Sequence, residues 1–348
     1  MKNEKIYKLL PETLLPWYRE NARNLPWRKD REPYHVWVSE IMLQQTRVEA
    51  VIGYYKRFLD ALPTIEALAN VPEEKLLKLW EGLGYYNRVR NMQKAAKVIC
   101  EKHGGMFPQA YEEIRALPGI GAYTAGAIAS ICFELPYAAV DGNVLRILSR
   151  ILANDEPIDT DEIKKMYAQC LEKVYPQGEC GNFTQALMEL GACICTPKSP
   201  SCAACPCASF CRAHQSKKET AYPVRLPKKE KRMEKRSVFL LECDGKYALI
   251  KRENKGLLSG LWQLPNTEEM FDAPQEALAY LQNARLKPKQ LVRTMERVHI
   301  FTHIRWDMTC YHVQCSAANA EYTWVQADEI RKTYALPTAF RMFVEDIE

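Results

Sequence analysis

The sequence predicts an all-α domain over residues 1–216 and a smaller α+β domain over residues 237–348. Before about residue 236, apolar residues recur at helical spacing, and no segment alternates long enough to form a convincing strand. After that point, short runs rich in β-branched and aromatic residues alternate between tight turns. A chain of 348 residues is long enough for two domains that each have their own core.

The longest helical pattern of the first domain follows Pro33 and stops at Pro63. Its apolar residues recur three or four positions apart between residues 38 and 59, which predicts one long helix. Further helices are predicted between Pro, Gly and Asn residues, over 65–69, 73–81, 88–102, 111–116, 122–133, 143–151, 159–174 and 182–193.

The second domain opens on a predicted hairpin over residues 237–252, with Asp244 and Gly245 at its turn. Three more strands and two helices are predicted, at 298–304, 306–314 and 322–325 and at 274–284 and 339–346. Strands and helices in this order indicate an α+β domain of about 110 residues.

The composition is that of a globular chain, with 47% hydrophobic and 26% charged residues. No apolar run reaches the roughly 18 residues of a membrane-spanning helix, and the first residues contain no apolar signal core. We therefore expect a cytoplasmic protein without membrane association. Thirteen cysteines in such a chain favour a metal site in a reducing compartment over a disulfide scaffold.

Positive charge is concentrated between Lys217 and Arg236, where nine Lys or Arg residues outnumber three Glu residues. Outside this run, 39 basic residues face 40 acidic ones, so the global charge alone does not indicate nucleic-acid binding. We interpret residues 217–236 as a solvated basic linker, with contact to a phosphate backbone as the alternative.

A cysteine-rich loop ends the first domain. Cys195, Cys202, Cys205 and Cys211 have the spacing C-x6-C-x2-C-x5-C, which allows four thiolates to close on one metal centre. Prolines in the loop prevent a continuous helix, and buried structural cysteines have no reason to cluster in such a polar segment. Thiolate ligands suit both zinc and iron–sulfur centres, so the spacing leaves the metal open. Cys207 is left out of the ligand set.

A glycine-rich turn over residues 117–126 separates two predicted helices. Gly119 and Gly121 permit a tight turn, and the free amides at the start of the following helix suit a phosphate. A dinucleotide fingerprint is excluded, because no strand precedes the turn and Thr124 stands where a third glycine is needed. The simpler alternative is a plain corner between two helices.

Two carboxylates are candidates for acid–base chemistry. Glu40 lies at the margin of an apolar helix face, where its pKa would be raised toward that of a general acid. Asp141 stands at the start of a helix. The simpler alternatives are a solvated helix face for Glu40 and an N-cap for Asp141. If the two side chains face each other, they suit oxocarbenium-like chemistry at a sugar.

With these residues in view, the chain resembles the adenine DNA glycosylases of the MutY type, in the helix-hairpin-helix superfamily that includes endonuclease III. A smaller part of the resemblance extends into the second domain. The motifs that carry it are SEIMLQQT at 39–46, LGYYNR at 83–88, LPGIGAY at 117–123, VDGNV at 140–144, the four cysteines, GLLSGLWQLP at 256–265 and FTH at 301–303.

The resemblance implies that the four cysteines hold a 4Fe–4S cluster, which orders a DNA-contacting loop in that family. The turn at 117–123 is then the hairpin that grips the DNA backbone through its amides, and Lys198 is a phosphate contact. Double-stranded DNA is the implied partner, and a monomer is expected.

The resemblance also implies the catalytic roles. Glu40 corresponds to the acid that protonates adenine, and Asp141 to the carboxylate beside the deoxyribose C1′, with Tyr123 and Asn143 as supports. Related bifunctional enzymes carry a lysine at the position of Tyr123, which forms a Schiff base and cuts the strand. A tyrosine cannot do this, so we expect a monofunctional glycosylase.

Further contacts are implied around the base pair that is read. Gln45 and Tyr85 correspond to residues that stack around the lesion pair, and Trp27 and Arg28 to residues that line the adenine pocket.

The second domain resembles the family's Nudix-like domain, which reads 8-oxoguanine through Phe301, Thr302 and His303. Thr302 stands where members commonly have serine. The metal-binding box of working Nudix hydrolases is missing between residues 245 and 288, so nucleotide hydrolysis is not expected.

The leading hypothesis is an enzyme that hydrolyses the glycosidic bond of adenine opposite 8-oxoguanine, or guanine, and leaves an abasic site. One alternative is an endonuclease III-like glycosylase-lyase for oxidised pyrimidines, against which Tyr123 and the second domain argue. Another is a non-catalytic iron–sulfur DNA-binding protein, which would need neither Glu40 nor Asp141.

Overall fold

The computed structural model describes residues 2–227, 230–345 and 347. The chain divides into two compact units. The helical unit comprises Met1–Asn70 and Arg90–Pro227, and the sheet unit comprises Val71–Val89 and Lys228–Glu348. The sheet unit therefore includes a segment from the first third of the sequence, which the predicted domain limits assign elsewhere.

Twelve α-helices are described before residue 216: α1 Lys2–Asn21, α2 Pro33–Leu43, α3 Val48–Ala61, α4 Ile65–Asn70, α5 Glu73–Leu79, α6 Asn87–His103, α7 Tyr111–Arg115, α8 Ala122–Phe133, α9 Gly142–Leu152, α10 Asp161–Glu172, α11 Cys180–Glu189 and α12 Arg212–Gln215. Helix α5 belongs to the sheet unit, and α6 runs from that unit into the helical unit. Among the helices of the described residues, none is long and apolar enough to cross a membrane.

The single long helix predicted after Pro33 is wrong, because the chain breaks between α2 and α3. Gln44 leaves the helical region with a φ of −59° and a ψ of 111°, and Gln45 has a φ of 60° in the left-handed region. A left-handed residue cannot continue a right-handed helix, so α2 ends there. The apolar residues of α3 keep the same spacing, which conceals the break in the sequence.

Helix α9 lies in the core of the helical unit. Its residues from Val144 to Leu152 are all buried, and the helix packs with α10, α11 and α12. Apolar residues of α1, α9, α10 and α11 form one cluster with Cys207, Cys211 and Ala213. The start of α9 and the cysteine-rich loop are therefore held by the same core.

The sheet unit contains a mixed sheet of seven strands: β1 Arg232–Cys243, β2 Lys246–Lys251, β3 Trp262–Gln263, β4 Asn266–Thr267, β5 Pro288–Ile300, β6 Ile304–Cys315 and β7 Thr323–Gln326. The main order is β3-β2-β1-β6-β5, with β4 paired to β1 and β7 paired to β2. Strands β1 and β6 are parallel, and the other pairs are antiparallel.

Helices cover both faces of this sheet: α13 Pro274–Asn283, α14 Ala327–Lys332 and α15 Thr338–Arg341. Alternate residues of β1 point to opposite faces. Val238 and Leu240 pack on the side of α14 and α15, and Phe239 and Leu241 pack on the side of α13. The all-α domain followed by an α+β domain confirms the predicted fold class.

The predicted hairpin is present, and Asp244 and Gly245 both have a positive φ at its turn, 50° and 72°. Other strand limits differ. Strand β1 begins at Arg232, inside the predicted linker, and residues 301–303 form the connection between β5 and β6 rather than strand. The last helix ends at Arg341, and the part of its prediction that falls on residue 346 lies outside the described residues.

Candidate active site

A cavity of about 560 Å³ opens into the helical unit. Its walls come from the short helix Pro26–Arg28, from α2, from the break after α2 and from the starts of α8 and α9. Glu40 and Asp141 both line it. Two carboxylates that are far apart in the sequence therefore share one pocket, as the paired-carboxylate hypothesis requires.

Glu40 is only 5% exposed in the middle of α2. The Tyr123 hydroxyl donates a hydrogen bond of 2.5 Å to its Oε2. Burial raises the pKa of Glu40 to about 7, and the Asp141 charge adds to that rise, while the Tyr123 hydrogen bond and Arg28 oppose it. A carboxyl group with this pKa carries a proton in a large part of the molecules near neutral pH.

Asp141 caps helix α9. Its Oδ1 accepts from the backbone N–H of Asn143 at 2.9 Å and of Val144 at 2.8 Å, and its Oδ2 accepts from Asn143 Nδ2 at 2.8 Å. Burial raises the pKa of Asp141, and these three donors and Arg146 oppose the rise. Hydrogen bonds to both oxygens favour the ionised form. Asp141 is therefore both the N-cap of α9 and a lining residue of the pocket.

Arg146 connects the start of α9 to the cysteine-rich loop. Its Nη2 donates to Asn143 Oδ1 and to the Gly191 carbonyl, both at 2.8 Å, and its Nε donates to the Cys195 carbonyl at 2.8 Å. A Cβ on Gly191 would lie 2.5 Å from Asn143 Cβ, so only glycine fits there. Arg146 was not among the predicted site residues, although an arginine within the apolar stretch of α9 was a usable signal.

Trp27 and Arg28 line the same cavity. Trp27 is buried edge-on against Tyr55. Arg28 donates to Glu189 Oε2 at 2.7 Å, and Arg23 donates to both oxygens of Glu189. Burial raises the pKa of Glu189, but the bonds from Arg23 and Arg28 outweigh it and bring the pKa to about 2. Glu189, also missed from sequence, fixes the Arg28 guanidinium beside the pocket.

Gln45 lies at the pocket rim, exposed by the left-handed break after α2. Seven of the predicted site residues therefore share this cavity. They are Trp27, Arg28, Glu40, Gln45, Tyr123, Asp141 and Asn143.

The predicted hairpin lies between α7 and α8. Gly119 has a φ of 77°, and a Cβ there would approach Asn91 Cβ to 2.6 Å, so glycine is required. Gly121 is the N-cap of α8 and is exposed. The first amides of α8 have no partner within the helix, as in any helix, which suits a phosphate. Tyr123 follows in the first turn of α8.

The remaining predicted residues lie in the sheet unit. Tyr85 has a φ of 46°, is 48% exposed and places its hydroxyl 2.5 Å from Thr302 Oγ1. Phe301 packs edge-on against Trp306 with ring centroids 4.9 Å apart, and Thr302 and His303 are exposed. The contact between Tyr85 and Thr302 joins two motifs that are distant in the sequence.

The cysteine-rich loop encloses a small cavity of about 20 Å³. All four predicted ligands line it: Cys195, Cys202, Cys205 and Cys211. Arg150 donates to Cys195 Sγ at 3.3 Å and to the Thr196 and Pro197 carbonyls, which fixes the start of the loop. Four sulfurs around one cavity, with a guanidinium beside them, fit a metal centre held by thiolates.

Two further features accompany this cavity. The fifth sulfur, Cys207, also lines it and is fully buried. His214 Nδ1 lies 2.6 Å from Glu219 Oε1, and ligand atoms of both residues lie within 4.8 Å of Cys202 Sγ. Neither His214 nor Glu219 was among the predicted site residues.

Comparison with known proteins assigns the class. Residues 38–173 match the family model "HhH-GPD superfamily base excision DNA repair protein", and residues 237–346 match the NUDIX domain. The helical part is similar to the solved structure of a thermostable thymine-DNA glycosylase, with 28% identity and a TM-score of 0.57 over 62% of this chain and 100% of that one. The family match and the fold are those of a base excision repair DNA glycosylase.

Relatives narrow the class. The adenine DNA glycosylase of Rattus norvegicus is 33% identical over 95% of this chain and 77% of its own length. An adenine DNA glycosylase of Buchnera aphidicola is 36% identical over 84% of this chain and 82% of its own length. The chain belongs to the adenine DNA glycosylase family, which confirms the resemblance found in the sequence.

Proposed function

We propose that this DNA glycosylase removes adenine opposite 8-oxoguanine, or opposite guanine, from double-stranded DNA and acts as a monomer. The observation that carries the proposal is one pocket with two carboxylates in different surroundings. The first is almost fully buried, and the second accepts three hydrogen bonds at a helix start. Environments of this kind give two carboxyl groups opposite protonation states.

The first step is proton transfer to the base. Adenine inside a duplex cannot be reached, so it must be flipped into the cavity. Glu40, with a pKa of about 7, donates its proton to N7 while the bond between C1′ and N9 breaks. The bonding electron pair leaves with the base, and the added proton makes that base neutral adenine. General acid catalysis of this kind contributes roughly 10²–10⁴-fold.

The second step concerns the sugar, which develops oxocarbenium character. Ionised Asp141 stabilises that positive charge, and the donors Asn143 and Val144 keep the carboxylate fixed during the reaction. Water then adds its oxygen to C1′, and the proton that it releases can return to Glu40. The product is an abasic site with both strands intact.

Strand cleavage is not part of the proposed reaction. Tyr123 lies in the first turn of α8, and its hydroxyl donates a hydrogen bond to Glu40. A phenol has no amine that could form a Schiff base with the sugar. The side chain instead holds the acid in place.

A 4Fe–4S cluster fits the thiols of Cys195, Cys202, Cys205 and Cys211, which line one cavity. We propose that they hold it and that, when bound, it orders the surrounding loop for contact with DNA. Arg146 would pass that order to the pocket, because it bonds both the loop backbone and Asn143.

Recognition of the base opposite adenine falls to the sheet unit in this proposal. Tyr85 offers an exposed ring for stacking, and Thr302 offers a hydroxyl at its side. A hydroxyl can donate to or accept from the edge of an oxidised purine.

Single-turnover release of adenine from duplexes that carry A opposite 8-oxoguanine, G, C or T tests the proposal. We expect the fastest release opposite 8-oxoguanine. Glu40→Gln should release no adenine, and the parent protein should not nick an abasic duplex. Equal release from all four duplexes would contradict the proposed base preference. Full activity of Glu40→Gln would contradict the proposed acid, and efficient nicking would contradict a glycosylase without strand cleavage. Iron analysis of protein purified without oxygen tests the cluster, and zinc in its place would refute it.

A further inference from the structure

The segment Val71–Val89, which belongs to the sheet unit, contains a nearly enclosed ion pair between two of its own residues. Lys78 Nζ lies 2.7 Å from Glu81 Oε2, and the two side chains are 17% and 14% exposed. Both charges are thus largely withdrawn from water, which distinguishes them from an ordinary surface pair.

The pair also satisfies backbone groups at the end of α14. Lys78 Nζ donates to the carbonyl of Tyr334 at 2.9 Å and to that of Ile330 at 3.2 Å. Glu81 Oε1 accepts from the backbone N–H of Leu336 at 2.8 Å. Carbonyls in the last turn of a helix lack partners within the helix and attract cations. The ion pair therefore fixes α5 to residues 330–336, and we call this arrangement the clasp.

The clasp is followed directly by the turn that carries Tyr85. Gly82, Gly84 and Tyr85 all have a positive φ, of 98°, 68° and 46°. The Trp80 indole donates to the Gly84 carbonyl at 3.0 Å, and Arg88 donates to the carbonyls of Leu83 and Gly84. These bonds leave the turn little freedom relative to α5. Any shift of α5 is consequently passed on to the Tyr85 side chain.

The Tyr85 hydroxyl meets Thr302 Oγ1 at 2.5 Å, at the connection between β5 and β6. The distance between these two oxygens depends on the position of α5 relative to the rest of the sheet unit. The clasp sets this position. We propose that Lys78 and Glu81 are positioning residues for base recognition, which hold Tyr85 against Thr302 and thereby set the preference for the base opposite adenine. This inference rests on the proposed role of Tyr85 and Thr302.

A different ion pair joins this segment to β2 and provides a matched control. Lys251 Nζ lies 3.0 Å from Glu74 Oε1, but these side chains are 47% and 58% exposed. Exposed pairs contribute little to stability. Glu74→Gln should therefore leave base preference unchanged, whereas Lys78→Met and Glu81→Gln should change it.

The experiment compares single-turnover rates on duplexes with A opposite 8-oxoguanine and A opposite G. In Lys78→Met the ratio of the two rates should fall about tenfold, mainly through slower release opposite 8-oxoguanine. Glu81→Gln, which keeps an acceptor for the Leu336 amide, should show a smaller fall and provides a second variant if Lys78→Met does not fold. Thermal unfolding of each variant checks that the protein is folded.

A double-mutant cycle with Tyr85→Phe separates positioning from general stabilisation. If the clasp acts through Tyr85, adding Lys78→Met to Tyr85→Phe should lower the ratio little further. Additive losses, equal slowing on both duplexes or an unchanged ratio in folded Lys78→Met would each overturn the inference. A parent protein that does not distinguish the duplexes would instead overturn the proposed lesion recognition, and this inference with it.

Discussion

The Tyr123 hydroxyl donates its hydrogen bond to Oε2 of Glu40 across 2.5 Å, and so joins the first turn of α8 to the middle of α2. Tyr123 lies just after the hairpin of Gly119 and Gly121, where the amides of α8 begin. The segment proposed to grip the DNA backbone and the acid proposed to protonate the base are therefore in direct contact. A shift of the hairpin would change the hydrogen bonding of the acid.

We predict that Glu40→Gln makes the protein more stable at pH 8 and leaves stability unchanged near pH 4. The pKa of Glu40 rises from 4.5 to about 7 on folding, so the folded state binds more protons between these values and its stability falls as the pH rises. Above pH 7 the cost of the buried charge reaches about 3 kcal/mol, which the neutral amide avoids. Melting temperatures of the variant and the parent between pH 4 and 8 measure this difference in stability. A variant less stable than the parent at pH 8 would contradict the prediction.

We predict that base release by the parent slows as the pH rises above about 7, because Glu40 loses the proton that it must donate. Tyr123→Phe should move this limb to higher pH. The Tyr123 bond favours the ionised form of Glu40, so its loss raises the pKa of Glu40 further. A hydrogen bond to a charged group is worth roughly 1.5–3 kcal/mol, which corresponds to about one to two pH units. Single-turnover rates from pH 5.5 to 9 would reveal the shift, and an identical profile in Tyr123→Phe would refute it.

The sequence was sufficient for the fold class and for most of the pocket. Helix α9 has an apolar face, and its N-cap Asp141 is recognisable before it. The sequence alone could not show that Glu40 and Asp141 share a pocket, because that depends on tertiary packing between α2 and α9. The break after α2 also escaped, since the backbone angle of Gln45 leaves no trace in the apolar spacing.

The residues that the sequence did not reveal as functional are mainly charged side chains withdrawn from solvent. In the sequence, Glu189 and Lys78 look like members of solvated helix faces, as most charged residues are, and Arg146 is marked only by the apolar residues around it. Each is instead held in place by backbone carbonyls or opposite charges that come from distant segments. The membership of Val71–Val89 in the sheet unit has the same origin, because contacts distant in sequence decide it.

We predict that Arg146→Met slows base release by about ten- to a hundredfold while DNA binding is retained. The change removes the bonds to Asn143 Oδ1 and to the Gly191 and Cys195 carbonyls. Loss of a charged donor leaves buried acceptors unpaired at about 1–3 kcal/mol, and Asn143 then no longer fixes Asp141. Single-turnover rates together with a binding titration on DNA measure the two effects. A parent-like rate would mean that the position of Asn143 does not depend on Arg146.

We predict that Cys205→Ala loses the metal centre, whereas Cys207→Ala keeps it. Both sulfurs line the cavity in the cysteine-rich loop, but the ligand set proposed from the spacing C-x6-C-x2-C-x5-C contains Cys205, with Cys195, Cys202 and Cys211, and leaves Cys207 out. Cys207 is fully buried and belongs to the apolar cluster around α9, where an alanine would cost packing but no ligand. Iron and sulfide content and the visible absorbance of both variants, purified without oxygen, distinguish the two cysteines. If Cys207→Ala loses iron and Cys205→Ala retains it, Cys207 is the ligand in place of Cys205 and the proposed ligand set is wrong.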